Sequence, residues 1–154
     1  MPYRVFVSYS TRDIARANQL SDLIRRAGAE PYVAEYATAP GTPLSTAIIQ
    51  AIKTCDLFVL LWSTDARHSE WVPQEIGMAK GAGKPIMPVV LHPGLSLPGF
   101  ISDLKYLALY QDPSAALVWI QEHVFSRARR KEQTEAWVTL GVGAAILLAL
   151  SQND

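Results

Sequence analysis

Six consecutive residues, Leu57-Phe58-Val59-Leu60-Leu61-Trp62, are apolar without a break. A strand with one face in water alternates apolar and polar residues, because successive side chains point to opposite faces. A run that is apolar at every position therefore fits a central strand of a parallel sheet, covered by helices on both sides. The flanking sequence supplies those helices. Arg4–Ser8 is rich in β-formers, and Ser10-Thr11-Arg12-Asp13 has the capping-box form that opens a helix. Ile14, Ala17, Leu20, Leu23, Ile24 and Ala27 then recur at helical spacing up to Gly28, a C-terminal cap. Pro31–Ala34 reads as a second strand, followed by the loop Glu35–Thr42, in which Pro40 and Gly41 forbid regular structure. Pro43 suits the first position of a helix whose apolar face is Leu44, Ile48, Ala51, Ile52 and Cys55. A further helix begins close to Ser69, since Pro73 is tolerated only in a first turn, and runs toward Gly81 or Gly83. Ile86–Leu91 and Tyr106–Tyr110 are the fourth and fifth strands, and Asp112-Pro113 opens a helix carrying Leu117, Ile120, Val124 and Phe125. This alternation predicts an α/β chain, a three-layer sandwich around a five-stranded parallel sheet with right-handed crossovers.

Charge locates a boundary near the end of that series. Four basic residues, Arg127, Arg129, Arg130 and Lys131, crowd into five positions, and after Glu135 no charge appears until Asp154. Ala136–Leu150 contains only one polar residue, Thr139. The chain is therefore divided into a globular domain over 1–126, a basic linker over 127–135 and a C-terminal apolar helix over 136–150. Fifteen helical residues cover about 22 Å, short of a hydrocarbon core of roughly 30 Å, so the segment is read either as a membrane anchor or as a helix buried against protein. In the first case the preceding basic cluster keeps the domain on the cytoplasmic side, with Trp137 at the interface. Gly141-x-x-x-Ala145 has the small-residue spacing that lets two such helices approach closely.

Composition removes several function classes. Apolar residues make up 49% of the 154, which excludes intrinsic disorder, and a formal net charge of +0 removes the electrostatic case for a nucleic-acid partner. The one cysteine, Cys55, excludes an internal disulfide or a Cys-based metal cluster. Its place on an apolar helix face makes it packing rather than a reactive thiol. His68, His92 and His123 lack the spacing of a helical zinc pair, so no metal is expected. The N-terminus shows no basic segment followed by an apolar stretch, and the chain is expected in the cytoplasm.

In a flavodoxin-like strand order, ligands bind beyond the carboxyl ends of the strands, between the loops after the first and third. The glycine-rich phosphate loops of dinucleotide-binding and P-loop proteins are absent there. A phosphorylation receiver would need acidic residues where Ser8-Tyr9 and Trp62-Ser63 stand. The third loop offers Ser69-Glu70-Trp71-Val72-Pro73-Gln74-Glu75, and on a helix Trp71 and Glu75 share a face, an aromatic plane beside a carboxylate. Such a pair suits a planar heterocycle joined to a sugar. By itself such a spacing is far more often a core tryptophan beside a solvated glutamate, and it proves nothing alone.

Five segments in order change that weighting: Val5–Ser10, the Pro/Gly loop before Leu44–Ile48, Asp56–Ser63, Ser69-x-Trp71-x-x-x-Glu75, and Lys84–Val89. Their order and spacing over roughly residues 3–125 resemble the Toll/interleukin-1 receptor (TIR) domain family, bacterial or archaeal NAD-cleaving type. The resemblance implies a flavodoxin-like fold and cleavage of NAD+ at the nicotinamide–ribose bond, giving linear or cyclic ADP-ribose, in cell defence or signalling. It implies Glu75 as the catalytic carboxylate, NAD+ as substrate with no bound cofactor, and Tyr9, Ser10, Thr11, Pro43 and Trp71 as substrate contacts. It also implies that the loop after the second strand, including Glu35, Tyr36, Pro40 and Gly41, mediates assembly into homo-oligomers. Other members of the family only scaffold signalling complexes, and that reading stands as the alternative. This copy differs from the usual pattern in lacking an acidic residue between Ala37 and Leu44 and in carrying Pro73 inside the motif.

Overall fold

The computed structural model describes residues 1–35 and 43–152, with side chains described up to residue 141. Five parallel strands form one sheet: β1 (Arg4–Ser8), β2 (Glu30–Val33), β3 (Leu57–Trp62), β4 (Ile86–Val90) and β5 (Leu107–Ala108). Their order is β2-β1-β3-β4-β5, the flavodoxin-like arrangement. All six residues of β3 are buried, as an uninterrupted apolar run requires.

The helices cover both faces. On one side α1 (Ile14–Arg26) and α5 (Pro113–Gln152) pack on Val5, Val7, Leu57, Val59, Leu61 and Val89. On the other, α2 (Thr46–Thr54), the one-turn α3 (Thr64–Arg67) and α4 (Val72–Gly81) pack on Phe6, Phe58, Leu60 and Trp62. The period-2 alternation of each strand sorts its residues between these two cores. Phe6 stacks on Tyr32 and Phe58, its register partners on β2 and β3, with ring centroids 5.4 and 5.3 Å apart.

Both long crossover helices end in the same way. Gly28 follows α1 with φ +83°, its N–H donating to Arg25 O while the Ala29 N–H donates to Ile24 O. Gly83 follows α4 with φ +68°, and the Gly83 and Lys84 N–H groups donate to Lys80 O and Ala79 O. These paired bonds satisfy carbonyls the helix leaves open, in a backbone conformation that disfavours a side chain.

Several predicted details shift. Ser10 accepts the Arg12 N–H, yet Asp13 does not complete a capping box; its carboxylate is engaged by Ser63, and Thr11–Asp13 is a 3-10 turn before α1. Pro43 is not a first helical position, because the Ser45 hydroxyl caps α2 by accepting the Ile48 N–H. Ile14 and Phe125, placed on apolar faces by their spacing, are 41% and 48% exposed. Phe125 lies about 100° around the helix from buried Val124 and instead receives the Arg129 guanidinium over its ring. The fifth strand has two residues in place of five, because only Leu107 and Ala108 pair with β4. Cys55 is buried, and burial pushes its thiol up to about 11.

Helix α5 runs without interruption through the residues read as end of domain, linker and tail. Lys131 pins it to the sheet: its Nζ lies 2.8 Å from Asp56 Oδ2 and donates to Pro2 O at 3.0 Å. The same Asp56 oxygen accepts the Arg4 N–H at 2.8 Å. Among the described residues no helix is long and apolar enough to cross a membrane. The uncharged run falls several residues short of the roughly 20 that a spanning helix needs.

Candidate active site

From β1 the chain passes to β2 on one side of the sheet, while β3 lies on the other, so the loops after β1 and β3 part at the switch point, where sheets of this kind place a ligand crevice. Two hydrogen bonds join its walls. Asp13, just after β1, accepts from the Ser63 hydroxyl at 2.5 Å, and Ser63, just after β3, accepts the Ala66 N–H at 3.0 Å and so caps α3. The second bond runs from Ser8 Oγ, at the end of β1, to Glu75 Oε1 on α4 at 2.7 Å.

Glu75 is placed there by the start of its helix. Ser69 Oγ accepts the N–H groups of Trp71 and Val72 at 3.1 and 3.3 Å, and Pro73 sits in the first turn, where its missing N–H leaves no bond unmade. Pro73 is thus compatible with a regular α4. The Glu75 N–H donates to Trp71 O at 3.0 Å, so the two residues are one turn apart as their spacing predicts. Trp71 is half-buried and Glu75 has no exposed surface at all. A fully buried carboxylate demands hydrogen-bond donors, and the Ser8 hydroxyl supplies one.

The other expected site residues are distributed as follows. Tyr9 is buried, and its hydroxyl donates to Ala34 O, tying the end of β1 to the end of β2. Burial raises the Tyr9 phenol above its ordinary value, with the Glu75 and then the Glu35 carboxylate adding to the effect, so it remains a donor at neutral pH. Ser10 is buried and caps the 3-10 turn; Thr11 is exposed. Pro43 is exposed ahead of α2, and Glu35 is exposed after β2. Tyr36, Pro40 and Gly41 lie outside the described residues. His68 is exposed.

Ser8 is the residue the sequence reading passed over in favour of Tyr9, Ser10 and Thr11. Its signal was the strand period: Ser8 shares the face of Phe6, on which α4 packs, whereas Tyr9 turns to the opposite core. The resulting set, one carboxylate, one hydroxyl donor and an indole one turn away, suits recognition of a sugar hydroxyl or a developing positive charge. Among the described residues no group of three His, Cys, Asp or Glu side chains could hold a metal ion.

The fold recurs in solved structures. The TIR domain of the Toll-related receptor TRR-2 from Hydra magnipapillata superposes with a TM-score of 0.64 at 21% identity, covering 81% of this chain and 97% of that one. A CMP N-glycosidase from Clostridium botulinum, BcmB, gives 0.52 at 20% identity, covering 73% and 95%. The TIR domains of the activated Roq1 resistosome, which directly recognizes the pathogen effector XopQ, give 0.50 at 15%, covering 82% and 84%. A sequence comparison with curated proteins finds no match. A family profile described as TIR domain matches residues 5–136, and with that match across most of its length the chain belongs to the TIR domain family.

Proposed function

We propose that this TIR domain cleaves NAD+ at the nicotinamide–ribose bond, releasing nicotinamide and leaving linear or cyclic ADP-ribose, as part of a cytoplasmic defence or signalling system. The observation that carries the reading is the Glu75 carboxylate, held at the switch point of the sheet by the Ser8 hydroxyl. Nicotinamide departs as a neutral pyridine from a cationic pyridinium, so its departure needs no general acid, whereas an ordinary glycoside uses two carboxyl groups. One carboxylate suffices to hold the ribose hydroxyls and to stabilise the positive charge that develops on the sugar. Trp71, one turn away, offers a plane to a heterocycle. The structural likeness to a CMP N-glycosidase is consistent with N-glycosidic chemistry on this fold.

Glu75 has no exposed surface, so substrate reaches it only after the crevice opens. We assign that opening to self-association through the segment 35–42 of a neighbouring copy, which would also shield the reacting sugar from water. The same burial is what favours the second reading, a TIR scaffold that signals by association alone. Incubating the purified chain with NAD+, and with CMP in parallel, while following release of the free base separates the readings. Nicotinamide release that Glu75→Gln abolishes supports NAD+ cleavage; release of cytosine alone moves the substrate to a pyrimidine nucleotide; no release from either at any protein concentration leaves the scaffold.

A further inference from the structure

A second concave site lies at the other end of the strands from Glu75. There a cleft of about 430 Å³ opens between the residues that enter β1, β3 and β4 and the middle of α5. Its volume falls within the range of pockets that take small organic ligands. Tyr3, Leu57 and Pro85 line the sheet side, and His123, Arg127 and Arg130 line the helix side. Arg127 and Arg130 are three residues apart on α5, hence on one face.

The charges in this cleft do not cancel locally. Its acidic groups are already engaged, Asp56 by Lys131 and the Arg4 N–H, and Glu135 by the α-amino group of Met1 at 2.8 Å. Among the described residues the guanidinium groups of Arg127 and Arg130 make neither an ion pair nor a hydrogen bond. Two planar guanidinium groups that share a cleft and are committed to nothing else form a fork for an oxyanion. The rest of the lining is of a different kind: an aromatic ring, a leucine and a proline give flat apolar surface beside that fork. His123 is half-buried and stacked on Trp119 at 5.0 Å, and burial followed by the Arg127 charge lowers its pKa, which keeps the imidazole neutral at pH 7. Burial, then the Asp56 charge, pushes the Tyr3 phenol up to about 12, so its hydroxyl stays protonated.

We propose that this cleft binds a small organic anion, with an aromatic or similarly flat body against Tyr3, Leu57 and Pro85 and its phosphate or carboxylate held between Arg127 and Arg130. The site is separate from the crevice at Glu75 and does not depend on NAD+ cleavage. Because one side of it is α5 and the other is the edge from which β1, β3 and β4 start, the ligand clamps the helix to the sheet beside the Lys131–Asp56 pair.

The test titrates the full chain with 1-naphthyl phosphate, 1-naphthoate and the neutral 1-naphthalenemethanol, read by NMR at the His123 and Tyr3 ring resonances. Saturable shifts with at least one of the two anions, and at least tenfold weaker binding of the neutral compound, are expected. The phosphate binding more tightly than the carboxylate identifies a phosphorylated ligand, and the reverse identifies a carboxylic acid. Arg127→Ala together with Arg130→Ala should weaken anion binding at least tenfold while leaving the thermal midpoint within a few degrees, since both side chains are exposed and alanine favours helix. Glu75→Gln should bind the anion as wild type does. No saturation by either anion, equal binding of the neutral compound, or unchanged binding in a folded double-arginine variant each overturns the proposal.

Discussion

Ser8 is a small residue with two obligations. It ends β1 within the sheet, and it donates to the one fully buried carboxylate among the described residues. Ser8→Ala keeps the first role and removes the second, so a buried acceptor loses a donor. A loss of about 1–3 kcal/mol in folding free energy is expected, seen as a lower urea midpoint at unchanged slope. If Glu75 is the catalytic carboxylate, nicotinamide release should fall in the same variant by an order of magnitude or more, because the carboxylate loses one of the groups that orient it. Glu75→Gln separates charge from shape: it keeps the volume, and its expected outcome is loss of cleavage with circular dichroism unchanged. His123 supplies a pH dependence. Its folded pKa lies below the unfolded value of about 6.5, so the unfolded chain takes up a proton first as pH falls. Its contribution is therefore fully present above pH 6.5 and is lost as pH drops from there through the folded pKa. His123→Gln should show a smaller decline in urea midpoint between pH 7.5 and 5.5 than the wild type.

At the scale of elements, burial decided what could be read in advance. β3 was legible because all six of its residues meet protein on both sides, and no polar residue interrupts the pattern. Leu60→Ala at its centre, with no exposed surface, should cost about 2–5 kcal/mol by chemical denaturation. α1 was legible from its face and from Gly28, where φ +83° asks for glycine; Gly28→Ala should cost roughly 1 kcal/mol. β5 was not, because Tyr106–Tyr110 has the composition of a strand but only two residues find a partner. The start of α2 was misplaced because Pro43 and Ser45 are both signals for a helix N-terminus, and only contact with the backbone N–H of Ile48 shows which one acts. In the site, the one-turn spacing of Trp71 and Glu75 could be counted, whereas the Ser8–Glu75 and Asp13–Ser63 bonds join residues 67 and 50 positions apart. No local pattern encodes such pairs; they become visible once strand order brings the loops together.

Taken as a whole, the molecule is closed at both ends of its sheet by polar contacts that cross between elements. Above, Asp13–Ser63 and Ser8–Glu75 draw together the loops after β1 and β3. Below, Lys131, Asp56 and the Arg4 N–H fasten α5 to the entrances of β1 and β3. Lys131→Met keeps the apolar stem and removes the charge, and a loss of about 1 kcal/mol is expected by urea unfolding, with α5 helicity largely retained. If self-association opens the crevice, specific NAD+-cleaving activity rises with protein concentration and falls when Tyr36 or Pro40 is replaced by a charged residue. A monomer of constant specific activity across a hundredfold dilution would contradict that coupling.

The complete burial of Glu75 also sets how this site behaves as a population. A group that presents no surface meets no solute, so any molecule that must touch it sees only the fraction of chains in which it is momentarily uncovered. The apparent dissociation constant is then the intrinsic one divided by that fraction, and a change that triples the uncovered fraction sharpens apparent affinity threefold without altering a single contact to the ligand. For such a molecule, apparent affinity at Glu75 is set jointly by the residues that touch it and by how often the crevice comes open.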